Sequence, residues 1–120
     1  MELKESGEMY LETILVLSQQ LEHVRSLDIA RHLQYSKPSI SRAMGILRNA
    51  GYISIDGSGY ITLTGSGREI ADKIYERHVV ISKYLADIGV DPATADKDAC
   101  RIEHVISDES FSALKKNLRK

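Results

Sequence analysis

Cys100, Glu103 and His104 stand at i, i+3 and i+4 in a chain of 120 residues. On a helix that spacing puts a thiol, a carboxylate and an imidazole on one face of a single turn. Together they are a ligand set for a first-row divalent cation. The bland alternative is a buried cysteine beside a surface Glu-His pair. A further histidine, His78, interrupts the apolar stripe Ile70, Ile74, Ile81, Leu85 and Ile88, so it points inward. An inward histidine serves either as a hydrogen-bonded core residue or as another ligand. Cys100 is the single cysteine, which excludes an internal disulfide framework.

A second chemistry lies at residues 36–50. Ile40, Ala43, Met44 and Leu47 form one apolar stripe of a helix. The opposite face carries Pro38, Arg42, Gly45 and Asn49, flanked by Ser39 and Ser41, and has no carboxylate. Ser36 reads as the N-cap, with Pro38 in the first turn, where its missing N–H costs nothing. Gly45 in mid-helix costs about 1 kcal/mol relative to alanine, which predicts a close approach by some other group. The tip formed by Ser36, Lys37, Pro38, Ser39, Ser41 and Arg42 suits double-stranded DNA. The serines can donate to phosphates, Pro38 can meet thymine methyls, and Arg42 can fork onto guanine.

Charge supports this locally though not globally. The formal net charge is −1. Residues 25–50 hold five arginines and lysines against Asp28, a net +4, whereas residues 1–24 hold one lysine against five glutamates, a net −4. Residues 86–110 hold two cations against seven carboxylates, a net −5. A basic middle can bind a polyanion while the total stays near zero.

The elements that must position these groups follow from periodicity. Helices are expected over 6–22, over 27–34 with Ser26 as cap, and over 37–50. Alternating strands at Tyr52–Ile55 and Tyr60–Leu63 are joined by Asp56–Gly59 as a hairpin. A long helix over 67–88 opens with a Ser66/Glu69 capping box, and helices over 96–106 and 108–118 follow. The fold class is therefore mainly α with a small β-hairpin. It is a winged helix-turn-helix DNA-binding domain over 1–72, then a helical domain over 73–120 that carries the candidate metal ligands. The loop 56–59 has no Lys or Arg, which leaves DNA affinity to the helix and to dimerisation. No apolar run approaches the roughly 18 residues that span a bilayer, and the acidic opening has no signal-peptide core. A cytoplasmic chain with no membrane partner is expected. No open-coordination triad at standard spacing supports an enzyme or a small-molecule substrate.

Four stretches together resemble the diphtheria toxin repressor family of iron- and manganese-dependent regulators. They are Glu8 to Ile14, Ser36 to Ser41, Leu63 to Arg68, and above all the run Asp98 to Glu109 with its Cys-Arg-x-Glu-His-x-x-Ser-Asp pattern. The resemblance covers essentially the whole chain. It implies that the helical domain over 73–120 is a dimerisation and metal-binding domain, and that the homodimer binds a palindromic operator when Fe²⁺ or Mn²⁺ is bound. The family's primary metal site matches Met9, Cys100, Glu103 and His104, and its ancillary site begins at His78. Methionine and cysteine at these positions follow the iron branch, since soft sulfur suits Fe²⁺ better than Mn²⁺. Glu12 matches a carboxylate ligand of the manganese branch. Ser82 stands where the iron branch has a glutamate, and Asp96 where it has a histidine, so an ancillary site beginning at His78 either holds metal weakly or uses Glu12 and Asp96 instead. The resemblance is to the short form, without a C-terminal SH3-like domain.

A metal bonded to both the first helix and the 100–104 segment would fix the spacing of two recognition helices across a dimer, and would screen the acidic segments from each other. Two competing readings remain: a winged-helix repressor that senses oxidants through Cys100, and a metal-independent one.

Overall fold

The computed structural model describes residues 4–118; the first three residues of the acidic opening and the last two lie outside the described residues. The chain divides into two compact units, residues 1–72 and 73–120. Among the described residues, no helix is long and apolar enough to cross a membrane.

The first unit contains α1 (Glu5–Gln20), α2 (Ser26–Leu33), α3 (Lys37–Asn49), β1 (Ile53–Ile55), β2 (Ile61–Leu63) and the start of α4 (Gly65–Asp87). Leu11, Ile14, Leu15, Ile29, Ile40 and Met44 are each almost wholly buried, with Leu47, Ile53 and Ile61 beside them in the core. These are the apolar stripes of three helices and the inward positions of two strands, so the hydrophobic effect selects this packing. α2 packs on α3, α1 on both α2 and β2, and α3 on β1. Between α2 and α3 the chain turns at Gln34, a non-glycine residue at φ +60, while Tyr35 N–H returns to Ala30 O at 3.1 Å.

The strands pair antiparallel with Ser54 opposite Thr62, whose hydroxyls lie 2.7 Å apart. Asp56 Oδ1 shapes the hairpin by accepting from Ser58 and Tyr60 N–H, both at 2.9 Å, and Gly59 turns at φ +84. Ile61 N–H donates to Val24 O at 2.7 Å, tying the hairpin to the segment before α2.

The ends of the elements correct several expectations. α2 begins at Ser26, so its N-cap is Arg25, whose N–H is met at 2.9 Å by Asp28 Oδ2. α4 begins at Gly65 rather than 67. Its cap is Thr64, whose hydroxyl accepts from Gly67 N–H at 3.2 Å and donates to Gly51 O at 2.7 Å, so the expected Ser66/Glu69 box is displaced. The close approach expected at Gly45 is not made by this chain, since nothing lies within 4 Å of a Cβ added there. It occurs instead at Gly67, where an added Cβ would fall 2.0 Å from Tyr52 O.

The second unit holds the rest of α4, α5 (Pro92–Ile102) and α6 (Asp108–Lys116). Val80, Ile81, Ala99 and Phe111 form its core, with Leu85, Ile102, Ile106 and Leu114 packed against them. α5 starts four residues earlier than periodicity indicated and also ends four earlier. Asp91 is an N-cap, accepting from Ala93 N–H at 3.2 Å, and Pro92 occupies the first turn, so this pair opens the helix.

Gly67→Ala should destabilise the first unit by about 1–3 kcal/mol, as overpacking against immovable backbone does. Urea titration of this variant beside Gly45→Ala, which meets open space, checks it: the loss is expected only at position 67.

Candidate metal centre and nucleic-acid interface

α5 stops at Ile102, and Glu103 and His104 lie in the turn that follows it. Glu103 closes that helix in the αR conformation with its N–H on Ala99 O at 2.9 Å, so Cys100 and Glu103 keep the helical spacing, and His104 departs from it, its N–H returning to Arg101 O at 3.4 Å. Cys100 is exposed, whereas the Glu103 side chain is 0% and the His104 side chain 3% exposed. The reason is tertiary. The Arg77 guanidinium donates to the Glu103 carbonyl at 3.3 Å and to the Ile106 carbonyl at 2.7 Å, which holds the turn against α4.

His78 is the hinge of the cluster. Its Nδ1 lies 2.7 Å from Glu103 Oε1 and its Nε2 2.7 Å from Asp96 Oδ1. The inward histidine is thus held between a buried carboxylate from the turn and an exposed one from α5. The other Glu103 oxygen, Oε2, is buried with no hydrogen-bond partner among the described residues. A buried carboxylate oxygen left in that state is costly, on the order of 1–3 kcal/mol or more. His104 Nε2 stands 3.6 Å from it, beyond hydrogen-bond range.

These residues fit a divalent cation. Metal–nitrogen and metal–oxygen bonds of roughly 2.0–2.2 Å place two ligand atoms of one ion at most about 4.4 Å apart, and the 3.6 Å separation falls within that reach. A cation there would satisfy Oε2. His78, bonded to the other oxygen of the same carboxylate, orients it as outer partners of metal ligands do. Met9 and Glu12 lie on α1 and are partly buried; Met9 O accepts from the Thr13 hydroxyl at 2.9 Å.

Arg77 and Asp108 are residues that sequence reasoning missed. Arg77 is 7% exposed, reaches Asp108 Oδ1 as well as the two carbonyls, and lies over the Phe111 ring at 5.5 Å. Asp108 also meets Lys73 Nζ at 3.3 Å. Its carboxyl is held below the usual range, by the Lys73 hydrogen bond and charge first and by Arg77 next. The signal was present: Arg77 precedes the inward His78, and Asp108 closes the Cys-Arg-x-Glu-His-x-x-Ser-Asp run.

In the first unit, Ser36, Lys37, Pro38, Ser39, Ser41 and Arg42 are all exposed at the start of α3. Ser36 caps the helix, accepting from Ser39 N–H at 3.3 Å and donating to Ser39 Oγ at 2.8 Å. No acidic residue occupies the first turn of α3, so its positive end is open to an anion. The hairpin loop lacks cations, but its base does not. Arg25 Nη2 donates to the Tyr60 hydroxyl at 3.1 Å and lies 4.8 Å over the ring, while His23 stacks on that ring at 4.1 Å, nearly parallel. Sequence order hid this group, because 35 residues separate Arg25 from Tyr60.

A winged helix-turn-helix joined to a helical unit whose buried turn carries carboxylate and histidine has the build of a metal-dependent transcriptional regulator. Known proteins of the same build agree. Residues 2–59 match the iron dependent repressor N-terminal DNA binding domain, and residues 64–120 the iron dependent repressor metal binding and dimerisation domain. The transcriptional regulator MntR of Escherichia coli O6:H1 is 30% identical over 106 residues, covering 88% of this chain and 68% of that protein. The diphtheria toxin repressor of Corynebacterium diphtheriae is 31% identical over 119 residues, covering 98% of this chain and 53% of the repressor. An HTH-type transcriptional regulator of Methanocaldococcus jannaschii, MJ0568, is 32% identical, with 94% of this chain and 92% of that protein covered. Among solved structures, the manganese regulator SloR superposes with TM-score 0.81 at 26% identity, over 97% of this chain and 54% of SloR. The chain belongs to the iron- and manganese-dependent repressor family of transcriptional regulators.

The lowered Asp108 carboxyl sets the sign of one pH effect. Its contribution to stability is complete above the ordinary value of 3.8 and is lost as pH falls through the lower folded value. Asp108→Asn should therefore flatten the stability profile below about pH 3.8, as measured by chemical denaturation at a series of acid pH values.

Proposed function

We propose that this chain is a repressor that binds a palindromic operator as a homodimer when a divalent cation, Fe²⁺ or alternatively Mn²⁺, is bound. In this reading residues 1–72 bind DNA and residues 73–120 dimerise and hold the metal. The observation that carries it is the buried Glu103 Oε2, without a hydrogen-bond partner among the described residues and 3.6 Å from His104 Nε2. When bound, the cation supplies the positive charge that a buried carboxylate otherwise lacks. Glu103 and His104 ligate it, and His78 orients Glu103 with Asp96 on the far side of the ring. The family resemblance supports Met9, Glu12 and Cys100 as further ligands. Exposed apolar side chains of the second unit, Val79 at 46% and Val105 at 73%, favour a self-association surface there.

The choice of metal turns on sulfur. Met9 and Cys100 favour Fe²⁺. The exposure of Cys100 favours the second reading, an oxygen- and nitrogen-rich site suited to Mn²⁺.

On DNA, Ser36, Lys37, Pro38, Ser39, Ser41 and Arg42 enter the major groove, and Arg25 at the hairpin base takes a backbone phosphate that the loop itself cannot. Phosphate contacts set affinity and salt dependence, whereas the α3 tip reads bases.

The central experiment is anaerobic operator binding titrated with Fe²⁺, Mn²⁺ and Zn²⁺. Binding should rise steeply with Fe²⁺ or Mn²⁺, and Glu103→Gln should abolish the rise. Affinity indifferent to metal and chelator rejects the reading, and peroxide-dependent, chelator-insensitive binding transfers it to Cys100. Separately, Arg25→Ala should weaken binding to all DNA sequences alike and reduce the slope of log affinity against log salt by about 1, as fluorescence anisotropy over a salt series would record.

A further inference from the structure

We propose that Arg77 is a positioning residue for the metal-binding turn, gripping its backbone so that Glu103 and His104 face one ion; this rests on the metal-site reading above. Arg77 and His78 are adjacent on α4 and project about 100° apart, as neighbours on a helix do. One side chain takes the main chain of Glu103 and the other its carboxylate. α4 thereby holds the same residue at both ends.

The guanidinium suits this task for physical reasons. A buried cation is tolerated only with close partners, and Arg77 has three acceptors from the turn and the helix after it: Glu103 O, Ile106 O and the Asp108 carboxylate. The two carbonyls bracket His104 and Val105 and close the turn between them. Asp108 lies in the first turn of α6, so the same fork fixes where that helix begins. The Phe111 ring, 5.5 Å from the guanidinium carbon, forms the floor beneath it. A lysine has the charge but no planar fork to serve three acceptors at once. Arg77 Nε is buried without a hydrogen-bond partner among the described residues, so the guanidinium serves the turn through its other nitrogens.

A structural staple alone would lower stability and nothing else. A positioning residue must change how well the site takes an ion while making no contact with it, and outer groups of this kind commonly alter metal affinity by roughly 10–100-fold.

The test uses the full chain with Mn²⁺ as the probe, measuring Kd by calorimetry and the rise in Tm on adding metal. Arg77→Met should weaken Mn²⁺ binding by roughly tenfold or more and shrink the metal-induced rise in Tm. A purely structural role would lower the metal-free and metal-loaded Tm together and leave that increment intact. Arg77→Lys should recover the metal-free Tm more fully than the affinity. Should Arg77→Met not fold, Asp108→Asn, which keeps both carbonyl bonds, still has to weaken Mn²⁺ binding, by about threefold. Parental Mn²⁺ affinity in Arg77→Lys and Asp108→Asn, or an intact increment in Arg77→Met, overturns the proposal. Parental affinity in Glu103→Gln instead removes the metal site itself, and this inference with it.

Discussion

The Glu103 carboxylate, buried and only half satisfied, is the constraint around which the second unit is arranged. A carboxylate taken out of water is penalised by several kcal/mol unless charge and hydrogen bonds replace the solvent. One oxygen is met by His78, and the other faces His104 without bonding to it. An apolar side chain would be the more stable occupant of such a position. A buried carboxylate there accords with a site whose remaining partner is a cation.

The groups around that carboxylate show how a small domain positions a polar site. α4 crosses the second unit with an apolar stripe, and within that stripe two polar residues are inserted side by side. Val80 and Ile81 continue the packing immediately afterwards, against Ala99 and Phe111. The polar pair therefore sits at the edge of a core rigid enough to hold it. Phe111 belongs to both, packing in the cluster and lying under the Arg77 guanidinium.

The first unit solves a different problem, how to present a polar tip on a firm base. Ile40, Met44 and Leu47 anchor α3 from beneath, and every residue named for the tip stands in solvent. The hairpin is fastened on two sides, by Val24 O to Ile61 N–H and by Thr64 to Gly51 O. The Arg25–Tyr60–His23 stack lies at its base. Cationic character near the wing thus comes from the segment before α2, which compensates for a loop built of Asp, Gly and Ser.

Local chemistry determined much of this before any fold was known. Apolar periodicity specified the helices and strands, and Ser36 with Pro38 marked the start of α3, because capping and φ restriction act within a few residues. Histidine inside an apolar stripe marked His78 as inward. What neighbours a side chain across the fold was decided only by tertiary structure. The spacing of Cys100, Glu103 and His104 promised one helical face, but that Glu103 is buried with its carbonyl on Arg77, 26 residues away, while Cys100 is exposed, was decided across the fold. Thr64 caps α4 in place of the expected Ser66, its hydroxyl accepting from Gly67 N–H where Gly67 lies against the Tyr52 carbonyl. Propensity and periodicity register energies of about 1 kcal/mol or less per residue along the chain. Burying a guanidinium or a carboxylate involves several kcal/mol, and whether that cost is met depends on groups far apart in sequence.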